Sequence, residues 1–322
     1  MTINRRFCTA PMMDLSDRHC RYMWRQLSKH AVLYTEMVTS AALARSKNVD
    51  RFLDYSELEQ PLALQVGGYD VQELTTAARL AEKWQYSELN LNVGCPSDRV
   101  QNGLIGAVLM KHPEKVQDAF KAMTDHCSLP VTIKHRIGVD DLDSYSFVRD
   151  FIGSQYHAGC RVFIVHARKA ILQGLSPKEN REIPPLKYDT VYALKKDFPD
   201  CEIILNGGIK TIDECHKHLE HVDGVMIGRE AYYNPMILKD VDDQIYGSAG
   251  HDMTDIQLLH AMIPYVDQLA RQDIPVKFIL KHLLAVVQGK PGARAFRRFL
   301  SQNMHKTPQN SHLLSQALKL IQ

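Results

Sequence analysis

The feature that most constrains the fold of this chain is a set of eight short runs rich in aliphatic and β-branched residues. Amphipathic stretches separate them, such as residues 70–84, where Asp70 takes the N-cap position. Eight strand-helix units predict a closed (β/α)8 TIM barrel rather than an open doubly wound sheet. The runs are RFCTAPMM, AVLYTEMV, PLALQVGG, SELNLNVG, PVTIKHRIG, CRVFIVHAR, CEIILNGG and GVMIGRE.

The strand pattern stops after Ile245. Residues 246–255, YGSAGHDMTD, have the glycine and serine content of a linker, and only helical patterns follow. The sequence therefore predicts an α/β barrel domain over residues 1–245, followed by a small all-helical domain over residues 246–322.

Charge is unevenly distributed along the chain. The net charge is +2 overall, but residues 255–322 contain nine Lys and Arg against three Asp, which leaves residues 1–254 at −4. A basic end on a mildly acidic body can bind a polyanion such as RNA, and it is equally compatible with a solvated helical face.

Cysteine usage and hydropathy restrict the location of the protein. The seven cysteines show no CxxC pair or metal-type spacing, so the sequence predicts neither a disulfide framework nor a metal site. Charged residues interrupt every apolar run before the roughly 18 residues that a membrane span needs. Asp14 and Asp17 lie where a signal peptide would be apolar. A cytoplasmic protein without membrane association is expected.

Polar residues near the ends of the predicted strands point to a ligand site. Strand alternation turns Asn90 and Asn92 toward the barrel interior and places Lys134 on the same face as Arg136. Barrel enzymes carry their chemistry at the C-terminal ends of the strands. A lysine that faces a barrel interior needs either an anionic or electron-rich ligand, or a structural ion pair.

Two glycine-containing segments end the last two strands. NGGI, residues 206–209, and GRE, residues 228–230, stand where many barrels bind a phosphate through backbone N–H groups. Arg229 can pair with that phosphate. Flavin mononucleotide (FMN) would place its phosphate here and its ring across the barrel mouth.

Several motifs together resemble the tRNA-dihydrouridine synthase family. They are APMMDLSD, LQVGG, LNVGCPS, IKHRIG, VHAR and NGGI, in that order along the chain. GLSPKENREIPPLKY and GARAFRRFLSQNM resemble the A-type branch. The resemblance implies a flavin-dependent enzyme that reduces the C5=C6 bond of uridines 20 and 20a in the tRNA D-loop, with NADPH or NADH as electron donor.

The resemblance also assigns residues to the site. The flavin would be bound by Pro11, Met12, Met13, Gln65, Lys134 and His166, with Asn206, Gly207, Gly208, Gly228 and Arg229 around its phosphate. The tRNA would contact Asn92, Lys178, Arg181, Arg294 and Arg297.

Cys95, between Gly94 and Pro96, is the candidate acid. Hydride delivery to C6 of uracil creates negative charge at C5, which then needs a proton. A thiol is mostly protonated at neutral pH yet gives up its proton far more readily than a hydroxyl. The competing interpretation is a small buried hydrophobic residue at a strand end.

Three other functions remain compatible with parts of the sequence. A flavin barrel that reduces a free pyrimidine, of the dihydroorotate or dihydropyrimidine dehydrogenase type, needs no basic tail. A phosphate-binding isomerase without flavin leaves Gln65, Lys134 and the Cys95 segment unexplained. A non-catalytic RNA-binding protein needs only the tail.

Overall fold

A computed structural model describes residues 3–96, 104–250, 252–307 and 309–321. Every one of the eight predicted runs contains strand in this structure. The strands are β1 (Phe7–Thr9), β2 (Leu33–Tyr34), β3 (Val38–Thr39), β4 (Leu62–Gly67), β5 (Glu88–Val93), β6 (Val131–Arg136), β7 (Val162–His166), β8 (Glu202–Asn206) and β9 (Gly224–Ile227).

The strands form a nearly closed parallel barrel. Their order is β1-β9-β8-β7-β6-β5-β4-β2, and β2 and β3 both pair with β4, so they share one of eight barrel positions. Backbone hydrogen bonds beside β2 connect the two ends of the sheet, from the Thr9 N–H to the Val32 carbonyl (2.9 Å) and from the Val32 N–H to the Phe7 carbonyl (3.0 Å). The predicted (β/α)8 barrel is confirmed.

Local sequence signals explain where the barrel helices begin. The Asp70, Ser144 and Thr211 side chains each accept a backbone N–H from the first turn of the helix that follows. The helices between strands are α1 (Arg18–Leu27), α2 (Ser40–Arg45), α3 (Asp50–Leu53), α4 (Val71–Lys83), α5 (Pro113–Thr124), α6 (Tyr145–His157), α7 (Tyr188–Asp197) and α8 (Ile212–Leu219).

After β9, every regular element in the described part of the chain is helical. The α-helices are α9 (Arg229–Tyr233), α10 (Val241–Gln244), α11 (Asp255–Arg271), α12 (Lys277–Leu283), α13 (Ala293–Asn303) and α14 (Leu313–Leu318). Helical sequence patterns over residues 256–272, 276–289, 293–304 and 311–322 overlap α11, α12, α13 and α14, respectively.

The chain divides into two compact units. The first comprises residues 1–13 and 32–228 and contains the barrel strands; the second comprises residues 14–31 and 229–322 and contains α1 with the C-terminal helices. In the second unit, Asp17 caps α1 and accepts hydrogen bonds from His282 (2.9 Å) and Lys281 (2.9 Å). The functional division at residue 245, into a catalytic and a tRNA-binding domain, stays a prediction.

Within the described ranges, no helix is both long and apolar enough to cross a lipid bilayer. No group of three or more His, Cys, Asp or Glu side chains in those ranges could hold a metal ion.

Candidate active site

The barrel strands bury an apolar cluster and also a set of polar side chains, some of which lie at the C-terminal strand ends. Cys8, Tyr34, Ala63, Ile204 and Met226 belong to one buried cluster. The strand register places polar residues of neighbouring strands next to each other. The register pairs are Asn92 with Lys134, Arg136 with His166, and His166 with Asn206.

Lys134 is partly buried and has no carboxylate partner among the described residues. Its ammonium group donates to Oδ1 of Asn206 (3.0 Å), and the Asn206 amide donates to the Met226 carbonyl (2.8 Å). Burial, reinforced by the neighbouring Arg136, lowers the pKa of Lys134 to about 7. Because the amide oxygen carries no formal charge, this lysine is suited to a ligand that brings negative charge or electron density.

The glycine pair after β8 allows close approach to His166. Gly207 and Gly208 have φ values of 117° and 79°, and a Cβ on Gly207 would lie 2.7 Å from Cδ2 of His166. Only glycine adopts such a backbone readily. Burial first, and then the charges of Arg136 and Lys134, hold the pKa of His166 well below its usual range. The imidazole is therefore neutral near pH 7.

Residues that follow the first and last strands are also neighbours at this end. The sulfur of Met12 lies 3.5 Å from where a Cβ on Gly228 would stand, so Met12 and Gly228 are adjacent in space. Pro11 is partly buried, and the Met13 side chain is 57% exposed, which excludes Met13 from a core role. Arg229 is the first residue of α9, and its assignment to the phosphate stays a prediction.

The segment after β5, residues 94–96, is called the cysteine loop below. Oδ1 of Asn92 accepts hydrogen bonds from the N–H groups of Gly94 (3.1 Å) and Cys95 (3.0 Å), and the Cys95 carbonyl accepts from Ala107 N–H (2.8 Å). Cys95 itself is partly exposed. Because it is partly exposed, Cys95 is not a buried hydrophobic residue. The hydrogen bonds to its backbone N–H and carbonyl groups fix the orientation in which its thiol can contact a ligand.

Gln65 and Asn92 are both buried and contact each other. The Asn92 amide donates to Oε1 of Gln65 (2.8 Å), and Gln65 is 1% exposed whereas Asn92 is 8% exposed. Sequence reasoning gave Asn92 a direct contact with the nucleotide. The structure adds a second role for Asn92, because the amide oxygen of Asn92 accepts the hydrogen bonds that hold the cysteine loop.

Arg136 shares a strand face with Lys134, but the sequence analysis assigned no role to it. Its guanidinium donates to the carbonyls of Gly94 (2.9 Å), Lys169 (3.0 Å) and Asn180 (3.0 Å). Burial lowers the pKa of Arg136 to about 10, which leaves it charged at neutral pH. Arg136 thus ties the cysteine loop to the segment after β7. Its position two residues after Lys134, on the same strand face, is the signal that could have identified it.

Four of the five residues predicted to contact tRNA lie on exposed elements, whereas Asn92 is buried on β5. Lys178 and Arg181 are exposed in and beside a short 3₁₀ helix (Glu179–Arg181) after β7, in the first unit. In the second unit, Arg294 is exposed and Arg297 is partly exposed on α13. Their positions leave these side chains accessible to a large ligand.

Comparison with known proteins identifies the family. The sequence profile of the dihydrouridine synthase (Dus) family matches residues 8–322. Three proteins named tRNA-dihydrouridine(20/20a) synthase are similar over nearly their whole length. The Pseudomonas aeruginosa protein is 53% identical over 319 residues, covering 99% of this chain and 96% of its own. The Salmonella typhi protein is 54% identical over 317 residues, with coverages of 98% and 95%.

The Escherichia coli strain K12 protein is 53% identical over 317 residues, with coverages of 98% and 91%. The family profile and these relatives span the barrel, the cysteine loop and the C-terminal helices together. The chain therefore belongs to the dihydrouridine synthase family.

Proposed function

We propose that this protein reduces the C5=C6 bond of uridines 20 and 20a in the D-loop of tRNA, giving 5,6-dihydrouridine. The observation that carries the proposal is the cysteine loop, whose thiol is held at a strand end beside the donor groups of the barrel rim. Family membership and the names of the relatives, which specify positions 20 and 20a, support this substrate.

The residues at the rim fit a flavin. An isoalloxazine ring presents carbonyl oxygens and ring nitrogens that accept hydrogen bonds, and Lys134, which lacks an acidic partner among the described residues, can donate to them. The proposed ring contacts are Pro11, Met12, Met13, Gln65, Lys134 and His166. The proposed phosphate contacts are Asn206, Gly207, Gly208, Gly228 and Arg229. When bound and reduced by NADPH or NADH, FMN supplies a hydride to C6 of uracil.

Cys95 then completes the reduction with a proton. Formation of the C6–H bond breaks the C5=C6 π bond and leaves negative charge on C5 and O4, because that bond is conjugated to the C4 carbonyl. The Cys95 thiol transfers its proton to C5, and the resulting thiolate is reprotonated by solvent, so one hydride and one proton are added in total. The hydrogen bonds of Asn92 to the loop backbone hold the thiol in the orientation that this transfer requires.

The substrate must leave its stack to reach a barrel interior. Turning out an unpaired loop base costs a few kcal/mol, which contacts elsewhere on the RNA must offset. We assign these contacts to Lys178, Arg181, Arg294 and Arg297, and the contact with the turned-out nucleotide itself to Asn92. In this proposal, residues 1–245 carry out the redox chemistry in the cytoplasm and contribute some of the tRNA contacts, and residues 246–322 form the tRNA-binding domain.

The decisive experiment offers the purified protein two substrates. With FMN and NADPH, it should form dihydrouridine at positions 20 and 20a of unmodified tRNA and leave free uracil unchanged. Reduction of the free base instead would identify a free-pyrimidine reductase. Purification without flavin absorbance near 450 nm, together with no reduction in the presence of added FMN, would overturn the flavin assignment.

A further inference from the structure

A chain of buried side-chain hydrogen bonds runs down the barrel interior from the cysteine loop. We call it the amide chain. Four hydrogen bonds compose it: Asn92 Nδ2 to Gln65 Oε1 (2.8 Å), Gln65 Nε2 to Asn90 Oδ1 (2.7 Å), Asn90 Nδ2 to Thr132 Oγ1 (2.7 Å) and Thr132 Oγ1 to Glu88 Oε1 (2.6 Å). Asn90, Thr132 and Glu88 have no exposed surface.

The lower end of the amide chain is a group that only accepts hydrogen bonds. Glu88 pairs with the Arg5 guanidinium (2.6 Å) and also accepts the Tyr34 hydroxyl (2.6 Å). Burial and the Glu88 charge raise the pKa of Tyr34 far above its usual range, and the nearby carboxylates raise that of Arg5 although burial opposes this. Both neighbours therefore stay protonated. A charged carboxylate has no proton to give, so Thr132 must donate to it.

The upper end of the amide chain consists of groups that only donate. The backbone N–H groups of Gly94 and Cys95 both point to Oδ1 of Asn92. Between this end and Glu88, each amide has one orientation in which every hydrogen bond forms. Turning over a single amide would place donor against donor and acceptor against acceptor at its two contacts.

We propose that Glu88 and Thr132 are positioning residues, which fix the amide orientations of Gln65 and Asn92 and thereby hold the cysteine loop from deep within the barrel. The inference rests on the proposed function only for the role of Cys95 as an acid. The restraint on the loop is a property of the protein without tRNA.

Three substitutions separate the amide chain from its surroundings. Thr132→Val removes the hydroxyl that links Asn90 to Glu88 while retaining the shape of the side chain. Tyr34→Phe is the matched control, because it removes another hydroxyl from the same oxygen of Glu88 without breaking the chain. Thr132→Ser restores the link.

The measurements use the full-length flavoprotein without tRNA. Iodoacetamide labelling of Cys95, followed by mass spectrometry, reports access to the thiol, and amide hydrogen exchange of peptides containing Gly94 and Cys95 reports loop opening. Cys127, the other partly exposed cysteine, serves as the internal reference. In Thr132→Val we expect both Cys95 signals to rise about tenfold, since a buried donor loses its acceptor. Cys127 labelling should stay unchanged.

Tyr34→Phe and Thr132→Ser should both resemble the parent. Equal Cys95 signals in Thr132→Val and Tyr34→Phe would overturn the proposal, and so would parallel rises at Cys95 and Cys127, which indicate general loosening. If Thr132→Val does not fold, Thr132→Ala, which removes the same hydroxyl, replaces it with the same expectation and the same contrary outcomes. Failure to reduce tRNA would refute the proposed function and leave these loop measurements decisive.

Discussion

At the scale of single residues, position rather than exposure distinguishes the candidate acid. Cys95 and Cys127 are both partly exposed, and the other five cysteines are buried. Cys127 follows α5, before β6 begins, where burial raises its pKa. Cys95 follows β5 at the end of the barrel where Lys134 and His166 lie. A cysteine after a strand therefore lies beside the polar groups of the candidate site, whereas a cysteine before a strand does not.

Replacement of the acid should separate proton transfer from cofactor binding. Cys95→Ala should bind FMN and be reduced by NADPH like the parent, whereas turnover on tRNA falls by roughly 10² to 10⁴, the usual contribution of a general acid. Stopped-flow absorbance measures flavin reduction, and product analysis measures turnover. Cys127→Ala is the control and should retain full turnover. Unchanged turnover in Cys95→Ala would remove it from the mechanism.

Lys134 predicts a pH dependence of flavin affinity. Its pKa is about 7 in the ligand-free protein, chiefly because burial disfavours the charge. An electron-rich or anionic ligand favours the charge and raises this pKa, so binding above pH 7 takes up a proton. The affinity for FMN should therefore decrease as pH rises above about 7, by up to about tenfold per unit.

Titration of flavin-free protein with FMN between about pH 7 and 9 measures this decrease. Lys134→Met is the matched control, with weaker binding and a flatter profile over the same range. If the parent and Lys134→Met have parallel profiles, another group binds the proton.

At the scale of elements, one arginine on β6 joins two loops that lie far apart in sequence. Arg136 donates to the cysteine loop and to the Asn180 carbonyl, and the buried Asn180 side chain exchanges two hydrogen bonds with the Ile171 backbone (2.7 and 2.8 Å). Lys178 and Arg181 flank Asn180. The buried hydrogen bonds of Asn180 therefore order the segment that carries Lys178 and Arg181.

Loosening this segment should weaken tRNA use without affecting the flavin. Asn180→Ala removes buried hydrogen bonds whose loss costs about 1 to 3 kcal/mol, so amide exchange over residues 169–183 should accelerate and KM for tRNA should rise. Lys178→Ala is the comparison, since loss of an exposed side chain should raise KM with no change in exchange. Normal exchange in Asn180→Ala would mean that its side chain does not order the segment.

At the scale of the whole molecule, charge is concentrated in the C-terminal sequence. Residues 255–322 contain nine Lys and Arg against three Asp. On α13, Arg294 and Arg297 are three positions apart and share a helix face, whereas Phe296 and Leu300 are buried. The helix thus has arginine side chains on an accessible face, and buried apolar side chains hold its other face in place.

Reversing these two charges should weaken tRNA binding specifically. Arg294→Glu with Arg297→Glu should leave flavin content intact and reduce the slope of log K against log salt by up to about 1.4 to 1.8, which corresponds to two lost phosphate contacts. Lys306→Glu with Lys319→Glu changes the net charge equally at two other exposed positions of the tail and is the matched control. Equal effects of both pairs would indicate general attraction by the tail.

The sequence by itself determined the eight strand-containing runs, the helical end and the inward direction of Asn90, Asn92 and Lys134. These properties follow from local periodicity, because alternate residues of a strand face opposite sides and helix caps act within one turn. The site residues could be predicted from the motif resemblance because motifs such as the cysteine loop and the glycine pair are also local, each being contiguous in sequence.

Only the tertiary structure decided which side chains are partners. Arg5 pairs with Glu88 across 83 residues, Lys134 contacts Asn206 across 72, and Arg136 reaches the Asn180 carbonyl across 44. No periodicity within a strand specifies such contacts, because strand register and barrel closure bring the residues together. The sequence thus identified Cys95 as a candidate acid, whereas the hydrogen bonds that hold it depend on the closed barrel.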